Sequence, residues 1–301
     1  VARFNLPKTA GSIMSCQSRL ERALAGAVKL PLDAKSRYVL ISDCHRGTGT
    51  AYDNFLKNQH LFTAALGYYD RNSFFYIELG DGEELWENFS LGQIETCYSD
   101  LYEQFGEMEQ KGRILRLFGN HNLELRNENT QGKQMVCNIC GEPMCREHWQ
   151  TFRECAVLKN NTGGRDICLL HGHQADFFNS VLWKLSRFLV RYLWRPLERF
   201  GVNDPTSAAK NYKKQRRYEH CLDDWAKEKG MYLVAGHSHR PTLPEAEGLY
   251  ANSGSCVHPR CITAIEIRNM KMTLVKWSVT TRPDLSLVAE RSVLAGPVDI
   301  R

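Results

Sequence analysis

Two histidines, His237 and His239, stand one residue apart at the end of a short apolar run, directly after Gly236. In an extended chain, residues two apart share one face, and a glycine lets the backbone come close beside them. Neutral imidazole is the commonest protein ligand for metal ions. The pair is therefore typical of half a metal site, although two histidines in a surface turn would have the same spacing.

Four further apolar runs upstream also end in residues that can bind metal ions. These residues are Asp43 with His45, Asp81, Asn120 with His121, and His171 with His173. For any one run, capping or turn formation by Asp, Asn or His explains the pattern. Five runs together, with oxygen and imidazole donors only, indicate a shared metal site.

The runs have the length of buried strands, and segments with helical periodicity lie at residues 13–28 and 55–69. The predicted strands cover residues 38–42, 74–79, 113–118, 167–170 and 233–235. Strands that alternate with helices predict an α/β fold, in which ligands bind beyond the carboxyl ends of the strands. All five sets of ligand-type residues lie at carboxyl ends, so we expect them to converge.

The composition is that of a soluble globular protein of one or two domains, with 301 residues, 43% hydrophobic and 24% charged. No apolar run reaches the ~18 residues of a membrane span, and the longest near the amino end is too short for a signal peptide. We expect a cytoplasmic protein. In that reducing compartment the eleven cysteines are expected to be free thiols or metal ligands.

Taken in order, the five motifs resemble the signature of the calcineurin-like metallophosphoesterases. They are Asp43-x-His45, Gly80-Asp81, Gly119-Asn120-His121, His171-Gly172-His173 and Gly236-His237-Ser238-His239, and the segment Asn252-Ser253-Gly254-Ser255 resembles the turn that often follows. The resemblance covers roughly residues 38–279. It implies an α/β sandwich of two mixed β-sheets, flanked by helices, with a two-metal site.

The resemblance also implies which residues bind each metal ion. One ion would be held by Asp43, His45 and His239, the other by Asn120, His171 and His237, with Asp81 bridging the two. Imidazole and carboxylate together suit Mn²⁺, which we expect first, with Fe or Zn²⁺ as alternatives. Two such ions can lower the pKa of a bridging water and clamp a phosphoryl group for in-line attack.

His121 is expected to act in catalysis without binding a metal ion. A positioned histidine can stabilise charge in the transition state or protonate the leaving oxygen. The family commonly places an acid directly after this histidine to orient it, whereas this chain has Asn122, with Glu124 two residues further on. The sequence therefore does not identify the group that orients His121.

Within the family, residues 80–87 and 237–241 are most similar to the branch containing the UDP-2,3-diacylglucosamine pyrophosphatases of lipid A synthesis. That branch often has Arg in place of His121 and Asp in place of His173, so the substrate does not carry over directly. Arg46 and His173 are candidates for substrate contacts. For Arg46 the reason is that a guanidinium can bind phosphate. A solvent-exposed Arg46 is the alternative.

Two insertions distinguish this chain from a minimal phosphoesterase. The first, at about residues 130–160, contains a possible structural Zn²⁺ site whose ligands would be Cys137, Cys140, Cys145 and His148. Only four residues separate the two ligand pairs, which is tighter than most zinc ribbons allow. Reduced thiols are the alternative.

The second insertion, at about residues 176–229, is predicted to contain a basic amphipathic helix. Its apolar face has Phe178, Leu182, Leu185, Leu189 and Tyr192, and its basic face has Lys184, Arg187, Arg191 and Arg195. Residues 183–217 have a net charge of +8, while the rest of the chain sums to −3. Such a helix could lie on the anionic inner face of a membrane, with Arg187, Arg191 and Arg195 toward the headgroups. It could equally be a lid or dimer helix whose apolar face packs on the protein.

The sequence thus predicts a helical extension at residues 1–36, a metallophosphoesterase domain at 37–280 and a tail at 281–301. We expect hydrolysis of a phosphoanhydride or phosphoester in a phosphorylated small molecule or a lipid-linked nucleotide. The alternatives are a soluble phosphomonoesterase, phosphodiesterase or protein phosphatase, and a non-catalytic membrane or nucleic-acid binding module. Nucleic acid is disfavoured because the basic segment has an apolar face instead of a groove with stacking aromatics.

Overall fold

The computed structural model describes residues 15–126, 152–194, 212–245 and 247–301. In these residues, eleven strands form two mixed β-sheets. The strands are β1 (Val28–Leu32), β2 (Arg37–Ile41), β3 (Phe75–Glu78), β4 (Ile114–Arg116), β5 (Cys155–Asn160), β6 (Ile167–Leu170), β7 (Tyr232–Ala235), β8 (Tyr250–Asn252), β9 (Cys261–Arg268), β10 (Lys271–Thr281) and β11 (Leu287–Asp299). All five strands predicted from the ligand motifs are present.

The six-stranded sheet has the order β11-β10-β9-β2-β3-β4, and the five-stranded sheet has the order β1-β5-β6-β7-β8. Strands β2, β3 and β4 are parallel, as are β6, β7 and β8. Parallel neighbours end at the same edge of a sheet. The loops that follow β2, β3 and β4 therefore meet at one edge, and those that follow β6 and β7 meet at another.

The helices cover the outer faces of both sheets. They are α1 (Cys16–Ala25), α2 (Gln59–Arg71), α3 (Leu91–Cys97), α4 (Ser99–Gln110), α5 (Phe177–Ser180), α6 (Trp183–Leu189) and α7 (Tyr212–Lys229), with a π-helical turn at Val190–Trp194. Helices α2 and α4 pack on the six-stranded sheet, and α1 and α7 on the five-stranded sheet. Between the sheets, Leu40 and Ile77 of one pack in the same core as Leu169 and Val234 of the other. The predicted α/β sandwich is confirmed.

Both ends of the described chain join the sandwich. Strand β1, in the predicted extension, pairs with β5, and β11, in the predicted tail, pairs with β10 along most of its length. Within the predicted tail, β11 is therefore an edge strand of the six-stranded sheet. The possible zinc ligands Cys137, Cys140, Cys145 and His148 lie outside the described residues.

One pair of cysteines departs from the expectation of free thiols or metal ligands. Cys16 in α1 and Cys221 in α7 form a disulfide, which is possible because the two helices pack side by side on the same sheet. Among the described residues, six other cysteines are free. None of the helices described is long and apolar enough to cross a membrane.

Candidate metal centre

The loops after β2, β3, β4, β6 and β7 bring the predicted ligands together between the two sheets. Three overlapping groups have donor atoms that all lie within 4.8 Å of one another. The groups are Asp43, His45 and His239; Asp81, His171 and His237; and His45, Asp81 and His121. The convergence expected from the strand ends is therefore present, and His45 and Asp81 each belong to two groups.

Two carboxylates lie at the middle of the cluster. Asp43 Oδ1 is 3.0 Å from His239 Nε2, and Asp81 Oδ2 is 3.1 Å from His171 Nε2. The Nε2 atom of His45 is 3.8 Å from Asp43 Oδ1 and 3.9 Å from Asp81 Oδ2. The imidazole of His45 therefore faces both acids.

Electrostatics keeps both carboxylates ionised. Burial disfavours the charged form of Asp43, but the nearby imidazoles of His239 and His171 outweigh burial and hold its pKa well below the usual range. Burial opposes ionisation of Asp81 in the same way, and His171 and His121 outweigh it, so its pKa is also lowered. Two negative charges thus stay in a buried cluster at neutral pH, which favours bound cations.

Four buried atoms in the cluster test whether the residues fit metal ions. Asn120 Oδ1 and His237 Nε2 have no hydrogen-bond partner within the described part of the chain, and Asp43 Oδ1 and His171 Nε2 have none with good geometry, although an imidazole or a carboxylate lies near each. A buried polar atom without a partner costs about 1–3 kcal/mol. All four belong to predicted ligands and have lone pairs that a cation could accept, so the donor set fits two divalent ions.

The backbone at the ligands is unusual. Asp43, His45, Asp81, His237 and His239 all have positive φ, between 49° and 66°. The left-handed region is uncommon for residues other than glycine. The expectation that His237 and His239 share one face of an extended chain is therefore wrong: β7 ends at Ala235, and the two histidines belong to different ligand groups.

Two glycines are needed because the backbone approaches the acids closely. A Cβ at Gly119 would overlap the carboxylate of Asp81, and one at Gly236 would overlap that of Asp43. The loop after β7 is also held by Asn252, whose Nδ2 donates to the carbonyl of Gly236 at 2.6 Å and to Ser238 Oγ at 3.1 Å. These contacts explain the glycines of the motifs and the asparagine that follows them.

Comparison with known proteins agrees with this geometry. The model of the calcineurin-like phosphoesterase family matches residues 36–241, more than half of the chain. The chain belongs to the calcineurin-like phosphoesterase family. A comparison with curated proteins found no match.

Solved structures of low identity are also similar to this chain. They include Vps29 of Chaetomium thermophilum, at 10% identity and a TM-score of 0.40, covering 87% of this chain and 97% of that one. The same protein in complex with a cyclic peptide gives 12% identity and a TM-score of 0.33, covering 88% and 100%.

Sequence reasoning missed Glu84, which contacts two of the histidines. Its Oε2 is 2.6 Å from His45 Nδ1, and its Oε1 is 2.7 Å from His121 Nδ1. Burial disfavours the Glu84 carboxylate, but His121 and His45 lower its pKa to about 2. The acid beside His121 therefore comes from the loop after β3, while Asn122 accepts a hydrogen bond from the Gly119 amide.

We expect Glu84→Gln to lower kcat by ~10–10²-fold. An amide has one acceptor oxygen and one NH₂ donor in place of two carboxylate oxygens, so one of the two imidazoles loses its hydrogen-bond acceptor. Steady-state kinetics with a small phosphodiester checks this. Glu290→Gln, an exposed glutamate on β11, is the control and should not change kcat. A wild-type kcat in Glu84→Gln would exclude Glu84 from the site's function.

Arg46 is neither a phosphate contact nor solvent-exposed. It is completely buried, and its guanidinium donates to Glu78 at 2.8 Å and to Glu83 at 3.0 Å. Arg116 pairs with the same two glutamates. The sequence suggested an available guanidinium because the strand end was expected to face solvent, but the neighbouring strands and α4 enclose it.

This network of Arg46, Glu78, Glu83 and Arg116 should matter for stability. We expect Glu83→Gln to lower the free energy of unfolding by ~3–5 kcal/mol, because two buried arginines would then share one carboxylate. Asp70→Asn, which weakens partly exposed ion pairs with Lys111 and Arg113, should cost about 1 kcal/mol or less. Urea titration measures both, and equal losses would contradict the prediction.

The same network predicts a pH dependence. Burial opposes ionisation of Glu83, but Arg116 and Arg46 outweigh it and lower its pKa to about 2, against an ordinary value of 4.5. Because the folded-state pKa is depressed, the carboxylate stabilises the fold above pH 4.5 and ceases to do so as the pH falls toward 2. The difference between wild type and Glu83→Gln should therefore shrink over that range.

His173, the other substrate-contact candidate, lies beside the cluster and is buried. Its ring centroid is 5.5 Å from that of His171, and 2% of its surface is exposed. Burial and the neighbouring His171 lower its pKa well below the usual range, so its imidazole is neutral. A contact between His173 and substrate stays a prediction.

The helical insertion exposes its apolar side, so this side does not pack on the protein as a lid helix would require. Five apolar residues form an exposed stripe on the insertion, and each is between 47% and 58% exposed. The members of this apolar stripe are Phe178, Val181, Leu185, Phe188 and Tyr192. Arg187 binds Glu124, and Arg191 binds the carbonyls of Leu85 and Trp86, so both basic side chains have protein partners. Contact of the insertion with a membrane stays a prediction. Arg195 lies outside the described residues.

Proposed function

We propose that the protein is a dinuclear metal-dependent hydrolase of phosphoester or phosphoanhydride bonds. The observation that carries the proposal is the convergence of ligand-type side chains from five strand ends on one buried cluster, in which four donor atoms have no well-directed hydrogen bond within the described residues. The family supports the same class of reaction. A binding module would not need an intact set of buried carboxylates and imidazoles.

We propose two sets of residues to hold the two ions. Asp43, His45 and His239 form one group, and Asp81, His171 and His237 form the other, with Asn120 as a further oxygen donor. Mn²⁺ is the first candidate, and Fe or Zn²⁺ also suits these donors. Two ions bound here would polarise the phosphoryl group and make water a nucleophile at neutral pH.

His121 is the candidate general acid. Its Nδ1 lies 2.7 Å from Glu84 Oε1, which leaves Nε2 as the ring nitrogen that would face a substrate oxygen. The ring stacks on Trp86, with 4.2 Å between centroids and 24° between planes. A carboxylate on one side and an indole on its face fix the orientation of the imidazole, and its proton can then pass to the leaving oxygen.

We further propose that the substrate has an apolar group, as in a lipid-linked nucleotide. The apolar stripe supports this, since a stripe of five half-exposed large side chains is unusual on a soluble surface. The stripe lies on the same insertion whose Arg191 contacts the loop next to His121. A soluble phosphomonoesterase, phosphodiesterase or protein phosphatase would not need it.

The test is a hydrolysis screen with Mn²⁺, with and without a chelator. Its four substrate classes are nucleotide diphospho-lipids, nucleotide sugars, simple phosphodiesters and phosphopeptides. We expect metal-dependent hydrolysis, fastest with the diphospho-lipid. If a water-soluble class is hydrolysed fastest, the phosphoesterase activity is supported and the apolar substrate is rejected. If no class is hydrolysed, the proposed activity itself is rejected.

Variants of the apolar stripe separate the two proposals. Leu185→Ser with Phe188→Ser should raise KM for the diphospho-lipid and leave a simple phosphodiester unaffected. Leu285→Ser with Leu287→Ser is a matched control, because these leucines are 81% and 71% exposed at the turn between β10 and β11. Equal effects of the two pairs on the lipid substrate would contradict a specific role of the stripe.

A further inference from the structure

Arg191 of the π-helical turn is bound to the loop that follows Asp81. Its guanidinium donates to the carbonyls of Leu85 at 2.6 Å, Trp86 at 2.8 Å and Asn88 at 3.1 Å. It also lies 4.2 Å above the ring of Phe89. Backbone carbonyls outside regular structure need such donors, and one planar guanidinium supplies them to three residues at once.

The loop held by Arg191 is the one that holds His121. Glu84 contacts His121 Nδ1, and Trp86 stacks on the imidazole. The amide of Leu85 also donates to the carbonyl of His121 at 3.3 Å. Any shift of this loop therefore moves the carboxylate and the indole that define the orientation of His121.

A second arginine of the insertion reaches the other side of His121. Arg187 Nη1 is 2.5 Å from Glu124 Oε2, in the turn Leu123–Arg126 that follows His121 in the chain. Both groups are partly exposed, at 25% and 36%, so this ion pair alone contributes little. Together with Arg191, it places the insertion across both chain segments that surround His121.

We propose that Arg191 is a positioning residue, which fastens the helical insertion to the loop Leu85–Asn88 and thereby orients His121. The proposal rests on the proposed function for its catalytic consequence. With Arg191 in this role, the insertion takes part in the hydrolysis of every substrate, including substrates without an apolar group. Arg191 acts through hydrogen bonds to main-chain carbonyls, so its effect depends on a planar fork of donors and not on charge alone.

The test compares Arg191→Met with Lys184→Met. Lys184 is exposed on the same insertion, and its ammonium lies over the ring of Trp183, 5.8 Å from the centroid. With a small phosphodiester, Arg191→Met should lower kcat by ~10–10²-fold, the cost of a misplacement of about 1 Å, with KM and metal content unchanged. Lys184→Met should match wild type. Arg191→Lys, which keeps the charge without the fork, should recover only part of kcat.

A double-mutant cycle tests whether Arg191 acts through His121. In a His121→Ala background, Arg191→Met should cause little further loss of kcat, because the group it positions is absent. The same fold-loss in both backgrounds would overturn the proposal. So would an unchanged kcat combined with loss of binding to anionic vesicles, which would restore the headgroup role of Arg191.

Imidazole NMR spectra of the metal-free protein give a readout that does not depend on activity. The ring resonances of His121 should shift in Arg191→Met and stay unchanged in Lys184→Met. An unshifted His121 in a folded Arg191→Met protein would overturn the positioning role even if the enzyme is active. A shifted His121 in a protein without hydrolytic activity would support the positioning and reject the proposed function.

Discussion

Replacing Asp81 with alanine is expected to remove bound metal and to lower kcat by more than ~10³-fold. Asp81 belongs to two of the three ligand groups, and its partner His45 belongs to the third, so we expect its loss to affect both ions. A metal ion contributes several kcal/mol of transition-state stabilisation, and each ~1.4 kcal/mol is a factor of ten in rate. Elemental analysis and steady-state kinetics on the purified variant measure the two effects.

Two further variants control for folding. Asp81→Asn keeps the shape of the side chain but has no charge and a single oxygen, so it should also fail to bridge two cations. Asp53→Asn changes another buried aspartate, which accepts from Tyr98 and from the amides of Gly49 and Phe55, and it should retain its metals. Two ions per chain and normal turnover in Asp81→Ala would show that the bridging residue is misassigned.

His121→Ala is expected to keep both metal ions and to turn over ~10²–10⁴-fold more slowly, the usual contribution of a positioned acid or base. His121 also forms a third ligand group with His45 and Asp81. Its position alone therefore does not show whether it binds a metal ion or acts in catalysis. Its Nδ1 is bound to Glu84, which favours catalysis by the opposite nitrogen.

Metal content decides between these roles of His121. Loss of an ion together with activity would make His121 a ligand, and an unchanged kcat at every pH would remove it from the mechanism. His60→Ala, an exposed histidine on α2, is the control and should equal wild type in both measurements.

The ligand loops could be predicted because each follows a buried apolar strand. Strand ends at 41, 78, 116, 170 and 235 agree closely with those expected. Parallel strands end at one edge, so residues such as Asp43 and Asp81 had to come near each other whatever the details of the loops. The sandwich then followed from the family resemblance, and the structure has the same two sheets.

Contacts between loops could not be predicted from periodicity. Glu84, Glu83 and Arg46 are all charged residues in or beside polar loops, and sequence patterns place such residues at the surface. Their burial depends on partners that lie far apart in the chain, such as Arg116 for Glu83 and His121 for Glu84. Likewise, the helical wheel found the apolar and basic faces of the insertion but not which face contacts the protein.

The left-handed backbone at five ligands limits how this centre could be transferred to another protein. A designer who grafted Asp43, His45, Asp81, His237 and His239 onto regular strand ends would reproduce their spacing but not the directions of their side chains. Each donor would need a local turn that costs ~1–3 kcal/mol, and glycine could not relieve that cost without removing the ligand. The unit to transplant is therefore the set of loops with its supporting glycines, Asn252 and Glu84.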